Sequence, residues 1–268
     1  MTIRDVSKIL QQAKEIGSID WIYFEGGEPF LFYPVMLKGI QEAAKLGFKV
    51  GIVTNGYWAT SLEDARVNLK PFAGILHDLS VSSDLFHYDE RISRQCQWAV
   101  AVADELGIPV GVISIAQPGE KGSTEPMRQL PVGESEIMFR GRAVEKLITG
   151  AAGYHWDQFT ECPHEDLREP GRVHLDAFGN VQICQGISIG NYNNNHLLEI
   201  FNQYDDDKHP ISSALIQGGP AELVRQYGIS HQESYADACH LCYESRLKLR
   251  NKFPEILAPD QVYGVFSR

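Results

Sequence analysis

No apolar run in this sequence approaches the length of a membrane span, and its start, Met1-Thr-Ile-Arg-Asp-Val6, carries no signal-peptide pattern. Positive charge is scarce: 24 Lys and Arg stand against 35 Asp and Glu, a formal net charge of -11. That balance argues against nucleic acid or an anionic membrane surface as a partner. The expected location is therefore the cytoplasm. Cysteine is scarce too, with five in 268 residues. In a cytosolic chain of this size, five cysteines read as reduced thiols or metal ligands rather than as a disulfide framework. The rest of the composition is that of an ordinary globular protein, long enough for one large domain or a main domain with a smaller one.

What is present is organised around Trp21-Ile-Tyr-Phe-Glu-Gly-Gly-Glu-Pro-Phe30. An apolar strand runs there into two glycines, whose bare backbone lets a ligand approach closely. Glu28 follows at the carboxyl end, the edge where parallel α/β sheets bind small molecules; taken alone, the run also suits an ordinary turn. Upstream, Thr2 to Asp5 reads as a capping box for a helix with Val6, Ile9, Leu10, Ala13 and Ile16 on its apolar face, closed by Gly17. Further strands are expected at Lys49–Val53, Ile75–Val81 and Ile108–Ile115. Helices are expected at Pro34–Leu46, Leu62–Phe72 and Asp89–Leu106. The strand ends Gly26, Thr54 and Ser82 stand 28 residues apart each time. Such a repeated βα unit implies right-handed crossovers and a parallel sheet with one shared functional edge. Gln117 to Gly133 reads as a loop, and Glu136–Phe139 as a sixth strand.

After about Gly150 the βα rhythm stops, which divides the chain into an expected barrel-like part over 1–150 and a second part over 151–268. In that second part Arg172–Asp176 and Val181–Cys184 flank Ala177-Phe-Gly-Asn180, a hairpin signal. Short helices are expected near Leu197–Gln203, Ile211–Gln217 and Ala221–Tyr227, with a longer one from Tyr243 to Lys252. Cys162, Cys184, Cys239 and Cys242 all fall in this part. Four thiolates complete a set for tetrahedral zinc or for an iron–sulfur cluster. Cys239-His-Leu-Cys242 alone suits a redox pair, though no thioredoxin-like βαβ context surrounds it. Cys96 is expected to be simply buried, and His164 to be a loop histidine. His87, just past a strand end, is a lesser candidate for ligand contact.

Gly26-Gly-Glu-Pro29 after one strand, Thr54-Asn-Gly56 after the next and Ser82-Ser-Asp84 after the third resemble the radical S-adenosylmethionine superfamily. The second part resembles its twitch or SPASM-type extension: a cysteine, a hairpin of pattern G-x-x-x-x-C (Gly179 to Cys184), then C-x-x-C. The resemblance implies a partial (β/α) barrel, an α/β fold with the cofactor at the strands' carboxyl ends, plus a small domain holding one auxiliary [4Fe-4S] cluster. It implies S-adenosylmethionine contacts from Gly26, Gly27, Glu28, Pro29, Thr54, Asn55, Ser82 and Asp84, and metal ligation by Cys162, Cys184, Cys239 and Cys242. Arg142 is a lesser candidate for pairing with a carboxylate. The implied activity is hydrogen abstraction from a peptide or small metabolite, with a flavodoxin or ferredoxin as electron donor.

One family hallmark is not in these 268 residues: the CxxxCxxC that holds the cofactor-cleaving cluster. The expectation is that a first strand with this motif precedes the chain, the alternative being a degenerate relative that binds a ligand or partner without catalysis. The chain alone is then expected not to generate a radical, and the sheet edge beside Trp21–Glu25 to favour association or instability. A zinc-stabilised α/β scaffold is the third reading.

Overall fold

The computed structural model describes residues 1–86, 89–117, 120, 122–127 and 130–265. The chain divides into two compact units, Thr2–Ile137, and Met138–Arg268 together with Met1. Among the described residues no helix is long and apolar enough to cross a membrane.

The first unit opens with helix α1 (Ile3–Ile16). Thr2 and Asp5 form a reciprocal capping box at its start, and Gly17 ends it in the left-handed conformation. Strand β1 (Trp21–Phe24) follows, then α2 (Tyr33–Lys45), β2 (Lys49–Thr54), α3 (Leu62–Leu69), β3 (Asp78–Ser82), α4 (Arg94–Glu105) and β4 (Val110–Ile115). Two further strands, β5 (Glu125–Met127) and β6 (Leu130–Ser135), complete a six-stranded sheet in the order β1-β2-β3-β4-β6-β5. Five strands, β1, β2, β3, β4 and β6, are parallel, and β5 alone runs antiparallel against β6. In the core Val50, Ile52, Leu79 and Val81 from the strands meet Ile40, Ala43, Leu69, Ala99 and Val102 from the helices. This is the α/β architecture that the 28-residue spacing implies.

Two expectations fail here. The strand expected at Glu136–Phe139 lies earlier, as β6, and the expected loop over Gln117–Gly133 contains β5 and the start of β6 as far as Gly133. Pro131 and Gly133 spoil the strand pattern in sequence. Pairing across the sheet, Ile113 with Gly133 and Ile115 with Ser135, overrides that local signal. Helix α4 starts at Arg94 rather than Asp89, because Ser93 caps it by accepting from the Cys96 N–H at 3.1 Å. Cys96 itself is fully buried.

The second unit holds α5 (Arg142–Leu147), β7 (Tyr154–His155), β8 (His174–Leu175), β9 (Asn180–Cys184), β10 (Ile187–Asn191), α6 (Leu197–Gln203), α7 (Ser212–Tyr227), β11 (Ser234–Tyr235) and α8 (Ala238–Leu249). The expected hairpin is β8–β9, and β10, which sequence reading missed, extends it to a three-stranded antiparallel sheet. Asp176 ties its turn by accepting from the backbone N–H groups of Phe178 and Asn180 and from the side chains of Asn180 and Gln182. Helix α7 contains a break at Gly218 and Gly219. Helix α8 begins five residues before the expected Tyr243, capped by Asp237, which places both cysteines of the CxxC near its N-terminus.

His209 gives this unit a pH dependence. Its ring Nδ1 accepts from the Ser212 N–H at 3.0 Å, and Nε2 lies 3.4 Å from the Ser188 carbonyl. The Tyr204 ring packs edge-on at 5.7 Å. Burial lowers the His209 pKa below the ordinary imidazole value. The unfolded chain therefore takes up a proton on this residue at a higher pH than the folded chain does. Below about pH 6.5 the unfolded state binds the extra proton and stability falls, whereas above it the contribution is constant. Chemical denaturation of the full chain should show a lower midpoint at about pH 5 than at about pH 7, and His209→Gln should reduce that difference.

Candidate functional site

In the first unit three of the residues singled out by sequence, Glu28, Thr54 and Asn55, bond to one another. Gly26 and Gly27 both have positive φ, at 81° and 52°, are exposed, and would meet nothing within 4 Å at an added Cβ. They leave open backbone at the end of β1. Glu28 is buried, and its carboxylate oxygens accept from Phe30 N–H at 3.0 Å, the Thr54 hydroxyl at 2.8 Å and Asn55 N–H at 2.8 Å. Thr54 Oγ1 in turn accepts from Gly56 N–H at 3.1 Å and Trp58 Nε1 at 2.9 Å. Pro29 opens a single 3-10 turn behind this network and stays buried. Glu28 thus laces the carboxyl end of β1 to that of β2.

Ser82 ends β3 half-buried, and Asp84 beyond it is buried, accepting from Phe86 N–H at 2.9 Å. Asp84 lines a small cavity with Leu85, Arg91, Ile115, Gln117 and Glu134, of about 150 Å³ of atom-free space including its opening to solvent. Arg91 bridges Glu120, at 3.0 Å, and Glu134. Sequence reading did not single out Arg91, Gln117 or Glu134, since the pairings span 29 and 43 residues. His87 lies outside the described residues.

In the second unit Cys162, Cys184, Cys239 and Cys242 all line one cavity, with Pro163, Leu167, Ile187 and Leu215 as apolar walls and Arg140 and Arg246 as its charges. About 400 Å³ of atom-free space lies there, its mouth included. The thiols arrive from a strand, a helix and a loop. Cys184 ends β9. Cys239 and Cys242 stand at the N-terminal end of α8, where the helix dipole favours negative charge. Asp237 fixes that end by accepting from His240 N–H at 2.6 Å, and its other oxygen accepts from Phe139 N–H at 3.0 Å, next to Arg140.

Cys162 depends on the break in α7. The Ala221 N–H donates to the Phe159 carbonyl at 3.0 Å, and Gly219, at φ 64°, lies flat against residues 159–161. A Cβ on Gly219 would sit 2.3 Å from Glu161 N and 2.4 Å from the Thr160 carbonyl carbon. Gly219→Ala should cost about 3 kcal/mol through strain and displaced backbone, read as a lower denaturation midpoint of the full chain.

The cavity is chemically unusual for its charge. Burial pushes the Cys242 thiol up to about 11 and raises Cys184 and Cys239 as well, while Arg246 and Arg140 pull Cys184 back down. Cys242 shares the lining of this cavity with Cys184 and Cys162. Arg246 is 2% exposed. It donates to the carbonyls of Gln185 at 2.8 Å and Cys242 at 3.4 Å, and to the Tyr263 hydroxyl at 3.1 Å. The acidic groups acting on it most strongly are Tyr263 and the thiols of Cys242, Cys184 and Cys239, none of them a carboxylate. Arg140 Nη1 reaches Cys184 Sγ at 3.8 Å. Arg142, the arginine noted in sequence, is exposed, and so is His164. Among the described residues no group of three or more His, Cys, Asp or Glu side chains converges as a single metal ion requires.

No family model matches this chain, and no curated protein matches it. Among solved structures, the crystal structure of SuiB from Streptococcus suis is similar at 14% identity with a TM-score of 0.42. The match covers 80% of this chain and 61% of that one, so this chain spans under two thirds of its neighbour's length. At that level the likeness decides nothing about activity.

Proposed function

We propose that this chain is a radical S-adenosylmethionine-type protein whose second unit holds one auxiliary [4Fe-4S] cluster on Cys162, Cys184, Cys239 and Cys242. The observation that carries the reading is the shared cavity: four thiols, apolar walls and two arginines, one of them buried without a carboxylate. A buried guanidinium needs an anionic partner, and thiolates that have lost their protons to iron supply one. Four thiols suit a cluster, which takes each thiolate on a different iron, as they suit tetrahedral zinc, which needs all four sulfurs about 2.3 Å from one point.

When bound, such a cluster supplies one-electron transfer or an open iron for substrate. The chain's own residues shape its surroundings: Leu167, Ile187 and Leu215 exclude water, and the arginines offset charge. In the first unit, within a partial (β/α) barrel, the open backbone of Gly26 and Gly27 receives the ammonium of S-adenosylmethionine. Glu28, Pro29, Thr54 and Asn55 hold that backbone in place, and Ser82 and Asp84 serve the far end of the cofactor. The substrate class is a peptide or small metabolite, and the electron donor a flavodoxin or ferredoxin.

A second reading is a non-catalytic relative that keeps the cluster and binds a ligand. It is favoured by the engagement of the Glu28 carboxylate with Phe30, Thr54 and Asn55 within the protein. Iron, sulfide and zinc analysis of protein purified without oxygen, with its visible spectrum, tests the cluster. About four irons and four sulfides per chain support it, whereas one zinc and no iron refutes it. Calorimetric titration with S-adenosylmethionine tests the first unit, and absence of binding leaves the second reading.

A further inference from the structure

We propose that Arg246, seconded by Arg140, is a built-in counter-cation for the anionic group of the thiol cavity, and that its charge sets that group's reduction potential. The inference rests on the iron–sulfur reading above and goes beyond ligation, which the four cysteines account for.

Arg246 is a poor choice for purely structural work at this place. The residue is 2% exposed, and its guanidinium is offered two carbonyls and a phenol, all neutral. Taking a cation out of water costs several kcal/mol and is offset only by an opposite charge nearby. Among the described residues no carboxylate pairs with Arg246, which donates to two carbonyls and the Tyr263 hydroxyl and lines the same cavity as the four thiols. Tyr263 does not fill the role, because burial pushes its hydroxyl up to about 12 and it donates to the Gly186 carbonyl at 2.6 Å. The missing charge therefore belongs in the cavity. Four thiolates around a [4Fe-4S] core leave about two negative charges in excess, and Arg140 and Arg246 supply two positive ones.

Position gives this pairing a redox consequence. One electron from a low-potential ferredoxin or flavodoxin enters the bound group, with no bond broken and no proton moved. The added negative charge interacts more favourably with a nearby buried cation than the oxidised state does, so the cation raises the potential. Arg246 sits one helical turn beyond Cys242, and its fork grips the carbonyl next to Cys184. Arg140 approaches Cys184 from outside α8 and is less buried.

The test is a redox titration of the reconstituted full chain, followed by electron paramagnetic resonance, on wild type, Arg246→Gln, Arg246→Lys and Arg140→Gln. Arg246→Gln should disfavour reduction at least tenfold, a potential about 59 mV more negative. Arg140→Gln should move it the same way by less. Arg246→Lys, which keeps the charge and loses the fork, should stay near wild type. A wild-type potential in Arg246→Gln, or equal shifts in Arg246→Lys and Arg246→Gln, overturns the proposal and leaves Arg246 a structural clamp. Should Arg246→Gln retain no iron, Arg140→Gln decides: a lowered potential supports the proposal and an unmoved one overturns it. A wild type that takes up no iron and sulfide overturns this inference together with the iron–sulfur reading. Iron in wild type with unmoved potentials overturns this inference alone.

Discussion

Replacing Cys242 by serine should drop the iron of anaerobically purified protein from about four atoms per chain to below about one. Cys242 stands at the N-terminal end of α8 and lines the cavity together with the other three thiols. Serine keeps the size and the helix but offers a hard oxygen whose proton is held far more tightly than that of a thiol, so it seldom serves iron in such clusters. The apoprotein should stay folded, because in the metal-free chain that thiol is itself protonated, its pKa lifted to about 11 by burial. Cys96→Ala is the control. That side chain lies in the α4 core of the other unit and should leave the iron content unchanged. Full iron in Cys242→Ser and in Cys239→Ser together would mean that the cluster, if any, sits elsewhere.

The parts of the structure that sequence reading reached are those written locally. The Thr2–Asp5 box and Gly17 bracket α1 within the span of one helix, and the 28-residue spacing of strand ends reports a repeated unit. The Ala177–Asn180 turn sits between two strand patterns and folds as read. The missed parts depend on partners distant in sequence. Strand β6 exists because β4 pairs with it, against the advice of Pro131 and Gly133. Arg246 gains its meaning from a carbonyl 61 residues away, and nothing around it in sequence separates it from a surface arginine of a helix. One signal was available: it follows Cys242 by four residues, so a helix through the CxxC puts both on one face. The break in α7 was half legible, since Gly218-Gly-Pro220 ends one expected helix and starts another. What it is for, close passage of backbone behind Cys162, required the fold.

Glu28→Ala should destabilise the full chain by about 4 kcal/mol, a larger loss than a cofactor contact alone explains. Its carboxylate is buried and answers three donors at 2.8 to 3.0 Å, from Phe30, Thr54 and Asn55. Removing it leaves the Asn55 and Phe30 N–H groups without their acceptor and frees the Thr54 hydroxyl that organises Gly56 and Trp58. Trp58 stacks on Phe30 at 4.2 Å, so disorder in the polar network spreads to an aromatic pair of the core. Glu28→Gln should lose less, about 2 kcal/mol, because its amide oxygen still serves Thr54 and Phe30 while its NH2 faces the Asn55 N–H. Denaturant midpoints give these costs. Calorimetry with S-adenosylmethionine on the Gln variant, under conditions where it is folded, separates the two roles. If Glu28 touches the cofactor, affinity falls beyond what the folded fraction accounts for. If it only laces β1 to β2, affinity follows stability, and the ammonium is held by the backbone of Gly26 and Gly27 alone.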